Sequence, residues 1–256
     1  MNDLIMPRRV MIARVGGLAA TLPFLSACDA INEAPAVRKI LSMGEEMNRA
    51  SQRALTDRNA LAREFSRADL SPFFRPNGTR LPPGPAYAAH AATGFADWRV
   101  KVTGLVARPL SLSMADIRAM PQRTQITRHD CVEGWSAIGQ WTGVPLARIL
   151  AAAGVRDSAR YIVFRCADRI GDALYYESCD MVDALHPQTI MAWSLNNAVL
   201  PIANGAPLRM RIERQLGYKQ AKYVEGIEAV ASLADIGAGK GGYWEDRIDY
   251  EWYAGI

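Results

Sequence analysis

The chain has 256 residues, half of them hydrophobic, and a net charge of +4 from 30 basic and 26 acidic residues. This length and hydrophobic content are sufficient for one domain with a sizeable core and a smaller appendage. The charge is mild and shows no basic run or alternating aromatic and basic array, which makes a nucleic-acid partner a poor expectation.

The first 28 residues have the character of an export signal rather than of folded protein. A basic stretch containing Arg8-Arg9 precedes an apolar run that is shorter than the ~20 apolar residues needed to span a bilayer. The stretch Leu25–Cys28 resembles a bacterial lipobox, in which the cysteine is lipidated and becomes the new N-terminus, and Arg8-Arg9 resembles a twin-arginine signal with loose flanks. We therefore predict a signal peptide over residues 1–28 and a lipid anchor on Cys28, with an ordinary secretion signal as the alternative.

Residues 29–70 are predicted to form a helical tether. The stretch from Ile31 to Phe65 is polar and poor in glycine, its apolar residues fall at loosely helical spacing, and Asp57 is placed to cap a second short helix. The tether either leads away from the membrane or packs on the main domain. A stretch rich in proline and glycine follows, LSPFFRPNGTRLPPGP, and we place the start of the main domain, residues 71–256, there.

The main domain is predicted to be α+β, with more sheet than helix. Two helices are indicated: one capped by Ser113 and Asp116 in SMADIRAM, and one in VPLARILAAAGV that Gly154 ends. Asn196-Asn197 indicates a hairpin turn. The glycine- and tryptophan-rich stretch after Cys131 is predicted to be a loop. The strand-like segments are DWRVKVTGLV, RTQITRHD, ARYIVFRCA, PQTIMAWSL, APLRMRIER and AKYVEGIEAV.

The cysteines limit the possible chemistry. Apart from Cys28 there are three, an odd number for an exported domain, so at least one is outside an intrachain disulfide, while Cys166 and Cys179 are candidates to pair. Without a CxxC motif, and with scattered histidines, a zinc site is a poor expectation. Cys131 could be a packed thiol, a nucleophile assisted by His129, or the ligand of a soft metal.

Two long segments carry a family resemblance. RHDCVEGWSAIGQWTGVPLARIL resembles the cofactor-cysteine segment of the sulfite oxidase superfamily of molybdenum enzymes, most closely its bacterial periplasmic protein-methionine-sulfoxide reductases. The likeness continues through Leu185–Val230 and covers about residues 96–230 in all. It implies a mixed, sheet-rich molybdopterin-binding domain that carries molybdenum with one pterin. Cys131 would be the thiolate ligand, because a soft metal prefers sulfur.

The resemblance also implies which residues hold the pterin. The segment that matches NGAPLR supplies Asn204 and Arg209, and an arginine suits a phosphate because its donors form a fork. The turn that matches GYKQAKYV places Gln220, Ala221 and Lys222 at the phosphate. Asn77 and Cys166 are looser matches: the loop around Asn77 differs in length, and the reductases have a threonine at the position of Cys166.

Two further residues are predicted to act at the reacting centre. Arg128 and His129 lie shortly before Cys131 in sequence, and we expect them to favour its thiolate. We also expect Arg128, His129 or Asn204 to donate a hydrogen bond to the substrate oxygen. Sulfite oxidases have a tyrosine next to the metal where Trp193 stands here, and a histidine where Asn204 stands. These departures favour neutral S-oxides over sulfite.

The implied activity is oxygen-atom transfer by an exported, lipid-anchored enzyme of the periplasm, most simply the reduction of small or protein-bound sulfoxides. A sulfite-dehydrogenase-like oxidase is the alternative within the family, and a cofactor-free binding lipoprotein is the alternative outside it. Because the chain has no haem or flavin motif, electrons would come from a separate partner, a membrane haem subunit or a soluble cytochrome. The aromatic, acidic tail GGYWEDRIDYEWYAGI is a pocket rim, a partner surface or a packed strap.

Overall fold

The computed structural model describes residues 34–256, so the predicted signal peptide and Cys28 lie outside the described residues. Helix α1 spans Pro35–Leu55, within the stretch predicted to be helical. The described part of the chain divides into two units between residues 52 and 53; the boundary that we place at residue 70 stays a prediction. No helix within residues 34–256 combines the length and the apolar character needed to cross a membrane.

The second short helix predicted after α1 does not form. The Asp57 carboxylate accepts a hydrogen bond from the backbone N–H of Asn59 at 2.8 Å, which closes a turn instead. Farther along, Glu64 pairs with Thr127, and the backbone N–H of Phe65 donates to the Ile126 oxygen at 2.9 Å. This segment therefore covers an edge of the sheet that contains Thr127.

One sheet has five strands in the order β2-β1-β10-β5-β6. The strands are β1 (Arg99–Gly104), β2 (Leu110–Ser113), β5 (Tyr161–Ile170), β6 (Ala173–Asp180) and β10 (Val224–Val230). All neighbours are antiparallel except β1 and β10, which run parallel and pair Lys101 with Gly226. An early strand of the domain therefore lies directly beside the last one.

The second sheet carries the cysteine that the sequence singled out. Its strands are β3 (Arg123–Cys131), β4 (Trp135–Pro145), β7 (Ile190–Leu195) and β8 (Ala198–Val199), in that order, with β9 (Arg209–Arg211) paired to β7. Asn196 and Asn197 join β7 to β8 with φ of 52° and 63°. Both positive values are typical of a two-residue hairpin turn, which confirms that prediction.

Five helices follow α1: α2 (Pro85–Ala92), α3 (Met114–Ala119), α4 (Leu146–Ala153), α5 (Met181–Ala184) and α6 (Tyr243–Ile248). The predicted cap of α3 is present, because the Ser113 hydroxyl accepts from the Asp116 N–H at 3.1 Å and the Asp116 carboxylate accepts from the Ser113 N–H at 2.8 Å. Gly154 ends α4 with φ of 65°. The fold is the mixed, sheet-rich α+β class that the sequence predicted.

The stretch predicted to be a loop after Cys131 is strand β4. The prediction was wrong because the glycines of β4 do not form turns but allow neighbouring groups to approach the strand closely. A Cβ on Gly143 would lie 2.2 Å from the backbone oxygen of Met191 on β7, and a Cβ on Gly139 would lie 2.9 Å from the ring of Phe74. Any side chain at Gly143 would push β4 away from β7.

Within residues 34–256, buried side chains form two apolar clusters. The larger one includes Val100, Leu150, Phe164 and Ile227, each 0 % exposed, and joins the first sheet to the helices. The smaller one contains Phe74, Trp141, Ile190 and Leu200 and lies on the second sheet. The ring of Phe74 in this smaller cluster lies 5.7 Å from the ring of His129, on the strand that ends at Cys131.

Candidate active site

The alternation of side chains along β3 decides which of them share the surroundings of Cys131. His129 and Cys131 are buried, whereas Arg128 is exposed, because successive side chains of a strand point to opposite faces. Arg128 pairs with Asp130 at 2.9 Å on that outer face. The structure therefore corrects the prediction that Arg128 acts beside Cys131.

Cys131 lines a cavity of about 190 Å³ that is partly open to solvent. Four of the predicted site residues meet there: Asn77, Cys131, Gln220 and Lys222. Trp244 and Tyr250 of the tail also line the cavity, in line with the pocket-rim alternative. Other polar and aromatic walls were not predicted, namely Thr79, Glu133, Asp168, Tyr175 and Tyr218. The family segments are thus brought together in space, with additional residues around them.

Arg209 is completely buried and only partly satisfied. Its guanidinium donates to the backbone oxygen of Asn204 at 3.0 Å, while Nε and Nη2 have no hydrogen-bond partner among the described residues. Burial, and after it the charge of Arg211, lower the pKa of Arg209 to about 9. Unpaired donors on a buried cation are costly unless a ligand takes them. The side chain is therefore suited to a polar or anionic ligand.

Lys222 lies beside Arg209 and points its ammonium group at backbone oxygens. Nζ donates to Asn77 at 2.7 Å and to Ala203 at 2.9 Å, and it also contacts the backbone oxygen of Thr79. Burial, and then the charge of Arg209, lower the pKa of Lys222 to about 7. Two buried cations that repel each other would be stabilised by one shared anion.

Gly205 makes this arrangement possible. Its φ of 112° suits only glycine, and a Cβ there would lie 2.9 Å from the Cβ of Lys222 and 3.1 Å from the Cβ of Arg209. The turn between Asn204 and Arg209 therefore packs directly against both basic side chains.

Asp168 is a site residue that the sequence analysis missed. It lies on β5, is 4 % exposed and lines the cavity. Burial raises its pKa to about 6, while Lys222 and the Thr79 hydroxyl oppose the shift. One carboxyl oxygen, Oδ1, has no partner among the described residues. The only sequence signal was its position two residues after Cys166, on the same buried face of the strand.

His129 is a neutral imidazole. Burial, and then the charges of Arg211 and Arg209, hold its pKa well below the usual range. Arg211 donates to Nδ1 at 2.9 Å, which is closer than the 3.3 Å approach of the Gln220 carbonyl oxygen. Nδ1 is therefore assigned as the acceptor and Nε2 as the protonated nitrogen, and Nε2 has no partner among the described residues. The prediction that His129 favours the Cys131 anion by its charge is wrong.

The surroundings of Cys131 differ from those that the sequence suggested. Burial raises the pKa of its thiol, and the backbone N–H of Glu133 opposes that shift. The cations that favour the thiolate are Arg75 and Arg209, and neither of them is a sequence neighbour. The thiol is thus protonated in the free protein near neutral pH and becomes a thiolate only with a partner that replaces its proton.

The other predicted cofactor residues lie close by or in the core. Asn204 is buried and donates weakly to the Phe74 backbone oxygen at 3.4 Å, and the backbone oxygen of Ala221 accepts from Met210 at 2.7 Å. Cys166 pairs with Val224 between β5 and β10, belongs to the main apolar cluster and is not among the cavity walls. Burial explains the raised pKa of Cys166 and of Cys179, and the two are separate free thiols.

Trp193 does not line the cavity either. Its indole N–H donates to the Gln122 side chain at 2.9 Å, and the Arg118 guanidinium lies 4.9 Å from its ring centroid. The departure at Trp193 from the tyrosine of sulfite oxidases therefore does not shape the walls of this cavity. The ring sits near the surface of the second sheet because position 193 on β7 is only partly buried.

Comparisons with known proteins agree with the resemblance. Residues 87–235 match a family model described as an oxidoreductase molybdopterin binding domain. The chain is 36 % identical over 254 residues to the putative protein-methionine-sulfoxide reductase subunit YedZ1 of Azospira oryzae, a match that covers 97 % of this chain and 87 % of that protein. It is 37 % identical over 144 residues to the protein-methionine-sulfoxide reductase catalytic subunit MsrP of Ralstonia nicotianae, covering 52 % of this chain and 44 % of the relative.

A solved structure supports the same fold. The sulfane dehydrogenase SoxCD from Paracoccus pantotrophus superposes with a TM-score of 0.50 and 22 % identity, over 54 % of this chain and 39 % of that chain. At this identity the likeness concerns the fold alone.

Proposed function

We propose, from the premise that this chain belongs to the oxidoreductase molybdopterin binding domain family of the sulfite oxidase superfamily, that it reduces organic sulfoxides by oxygen-atom transfer. The protein is a molybdopterin-dependent oxidoreductase. The observation that carries the proposed site is the buried guanidinium of Arg209, which keeps two unpaired donors close to the cavity lined by Cys131.

The donor set fits a molybdenum-pterin cofactor. A pterin phosphate is an anion, and Arg209 and Lys222 are buried cations beside a glycine turn that leaves room for close approach. The backbone oxygen of Asn204 accepts from Arg209, and Gln220 and Ala221 directly precede Lys222, so we propose these three as further cofactor contacts. Cys131 would offer the soft sulfur, and the unpartnered Nε2–H of His129 and side-chain oxygen of Asn77 would be available to the polar edges of the pterin.

When bound, the cofactor supplies two electrons and the site at which an oxygen atom is exchanged. The conversion of a sulfoxide to a sulfide consumes two electrons and two protons and releases water. Within the cavity, Asp168 is the carboxyl group that exchanges protons near neutral pH, because burial raises its pKa to about 6. Cys131 would hold the metal at the cavity, and its cross-strand neighbour Trp135 packs against the smaller apolar cluster.

The charge of the cavity favours a neutral substrate. Among its walls, Lys222 would pair with the cofactor phosphate, whereas Glu133 and Asp168 add carboxylates and aromatic rings supply much of the remainder. A sulfite dianion would be repelled by the carboxylates, whereas a sulfoxide is neutral and bears an apolar chain. Methionine sulfoxide is the sulfoxide that we propose, since both curated relatives are named as reductases of protein methionine sulfoxide.

The test compares two reactions of the same molybdenum-loaded enzyme. With a reduced dye as donor, methionine sulfoxide should be turned over with kcat/KM at least tenfold higher than that for sulfite oxidation with an oxidised dye, a preference of about 1.4 kcal/mol. A tenfold preference for sulfite would reverse the assignment in favour of a sulfite-dehydrogenase-like oxidase. Heat-inactivated enzyme and enzyme made in a host without the pterin serve as blanks.

We also propose where the enzyme works and how it receives electrons. The basic, apolar start of the chain and the lipobox-like Cys28 support export to the periplasm by the twin-arginine route and a lipid anchor in the membrane. Mass spectrometry of the mature protein should find diacylglycerol on an N-terminal Cys28; an unmodified or uncleaved N-terminus would contradict the anchor. Electrons would come from a separate protein, a membrane haem subunit or a cytochrome, because both relatives are named as subunits.

A further inference from the structure

Residues 243–250, which we call the C-terminal strap, place two aromatic side chains in the cavity. Trp244 lies on α6 and Tyr250 lies just beyond it, and both line the cavity together with Tyr218. The rings of Tyr218 and Tyr250 are 5.0 Å apart and steeply inclined, and those of Trp244 and Tyr250 are 6.2 Å apart. The three rings therefore form one continuous wall.

A buried ionic cluster holds the strap in place. Glu245, the residue after Trp244, is 0 % exposed and bonds to the ammonium group of Lys219, which lies 2.5 Å from Glu177 of β6. Burial raises the pKa of Glu177 well above its usual value, Lys219 opposes this, and Glu245 adds to it. Because a buried pair is hard to break from one side, the helix is fixed to the sheet at this point.

Further hydrogen bonds hold the middle of the strap and the residue that follows it. Asp246 accepts hydrogen bonds from the backbone N–H groups of Ala238 at 2.8 Å and Lys240 at 2.9 Å. Farther along, the Tyr218 hydroxyl donates to the backbone oxygen of Glu251 at 2.5 Å. A wall with this many attachments keeps its shape when a ligand arrives, which favours selective binding.

The position of the strap in the chain separates it from the cofactor residues that the resemblance places within NGAPLR and GYKQAKYV. The match to the family model ends at residue 235, before the strap begins. The strap adds no cationic side chain to the cavity walls, whereas the phosphate calls for cations. Its rings are thus better suited to the substrate than to the cofactor.

We propose that Trp244 and Tyr250, with Tyr218, form the substrate-recognition wall that binds the thioether-like chain of methionine sulfoxide. The assignment rests on the proposed sulfoxide reduction. A sulfoxide sulfur carries partial positive charge and bears apolar groups, and aromatic faces are electron-rich and apolar. Lys219 and Glu245 are positioning residues, which act through the strap.

The experiment separates substrate recognition from both catalysis and cofactor loading. In the Trp244→Ala/Tyr250→Ala double variant, kcat/KM for N-acetylmethionine sulfoxide should fall about tenfold or more, mainly through KM, which corresponds to ~1.4 kcal/mol. For dimethyl sulfoxide, which is too small to span the wall, the change should stay within about threefold, and molybdenum per chain should equal that of the wild type. The conservative variant Trp244→Phe should keep most of the wild-type kcat/KM for N-acetylmethionine sulfoxide. Phe73 is an exposed aromatic residue outside the cavity walls, and Phe73→Ala should leave kcat/KM unchanged for both sulfoxides.

Calorimetric titration of N-acetylmethionine sulfoxide into oxidised, loaded enzyme measures the binding affinity without turnover. Binding weakened about tenfold in the double variant supports the wall even if the wild type proves to reduce no sulfoxide, in which case only the proposed function fails. Equal losses for both sulfoxides, an unchanged affinity, or molybdenum lost from the double variant would each overturn the wall. A wild type that neither binds nor reduces sulfoxides would overturn both proposals.

Discussion

Changing Cys131 to serine should remove molybdenum from the purified protein and lower sulfoxide turnover by more than about a hundredfold, since even the outer partners of metal ligands contribute about 10–100-fold. A serine hydroxyl is a hard donor that stays protonated near neutral pH, and it therefore replaces a soft thiolate poorly. The measurement is molybdenum per chain together with the metal-linked absorption of enzyme matured in a pterin-producing host.

The structure offers a matched control. Cys179 is another buried free thiol, 3 % exposed, but it belongs to the main apolar cluster and is not a cavity wall. Cys179→Ser should keep its molybdenum and its spectrum. If the Cys131 variant retained the metal spectrum and turnover of the wild type, Cys131 would not be the ligand.

The second large effect is that of replacing Arg209, which should stabilise the cofactor-free protein but prevent loading of the cofactor. In cofactor-free protein, Arg209→Met removes a buried cation with two unpaired donors beside Arg211 and Lys222. We expect the free energy of unfolding to rise by about 1–4 kcal/mol, as when apolar side chains replace buried charges elsewhere. In the pterin-producing host, the same variant should lose most of its molybdenum. Urea unfolding and metal analysis give the two readings.

Arg211 is the matched comparison for this prediction. It is also 0 % exposed, and both guanidinium groups face the ring of Trp141, at 5.0 Å for Arg209 and 4.5 Å for Arg211. Arg211, however, forms an ion pair with buried Glu213 at 2.6 Å. Arg211→Met should therefore lower the free energy of unfolding by about 3–5 kcal/mol, because buried Glu213 loses its cation and keeps only the hydrogen bond from Gln125. A similar loss in both variants would show that Arg209 is satisfied in the free protein.

Much of the fold followed from local sequence patterns. The caps at Ser113 and Gly154, the hairpin at Asn196-Asn197 and the alternating strand β10 depend on neighbours along the chain, and they form as predicted. Strand β4 was missed because the reason for its glycines lies on β7 and in Phe74, which are distant in sequence.

The site shows the same division between local and distant causes. The family resemblance pointed to Cys131, Gln220 and Lys222 as site residues, and all three line one cavity. By contrast, Arg128 was misjudged because a neighbour in sequence along a strand points to the opposite face. The charge of His129 was misjudged because the nearby arginines come from β9. Asp168 was missed because only the folded arrangement places its carboxyl group beside Lys222.

The parallel pairing of β1 with β10 bears on the timing of biosynthesis. A ribosome delivers β1 long before β10, so the centre of the first sheet remains incomplete until nearly the whole domain has been made. Arg209 and Lys222 also emerge late, because both precede β10 by only a short stretch of chain. A nascent chain therefore has no finished pterin site, and insertion of the cofactor must wait until translation of the domain is complete.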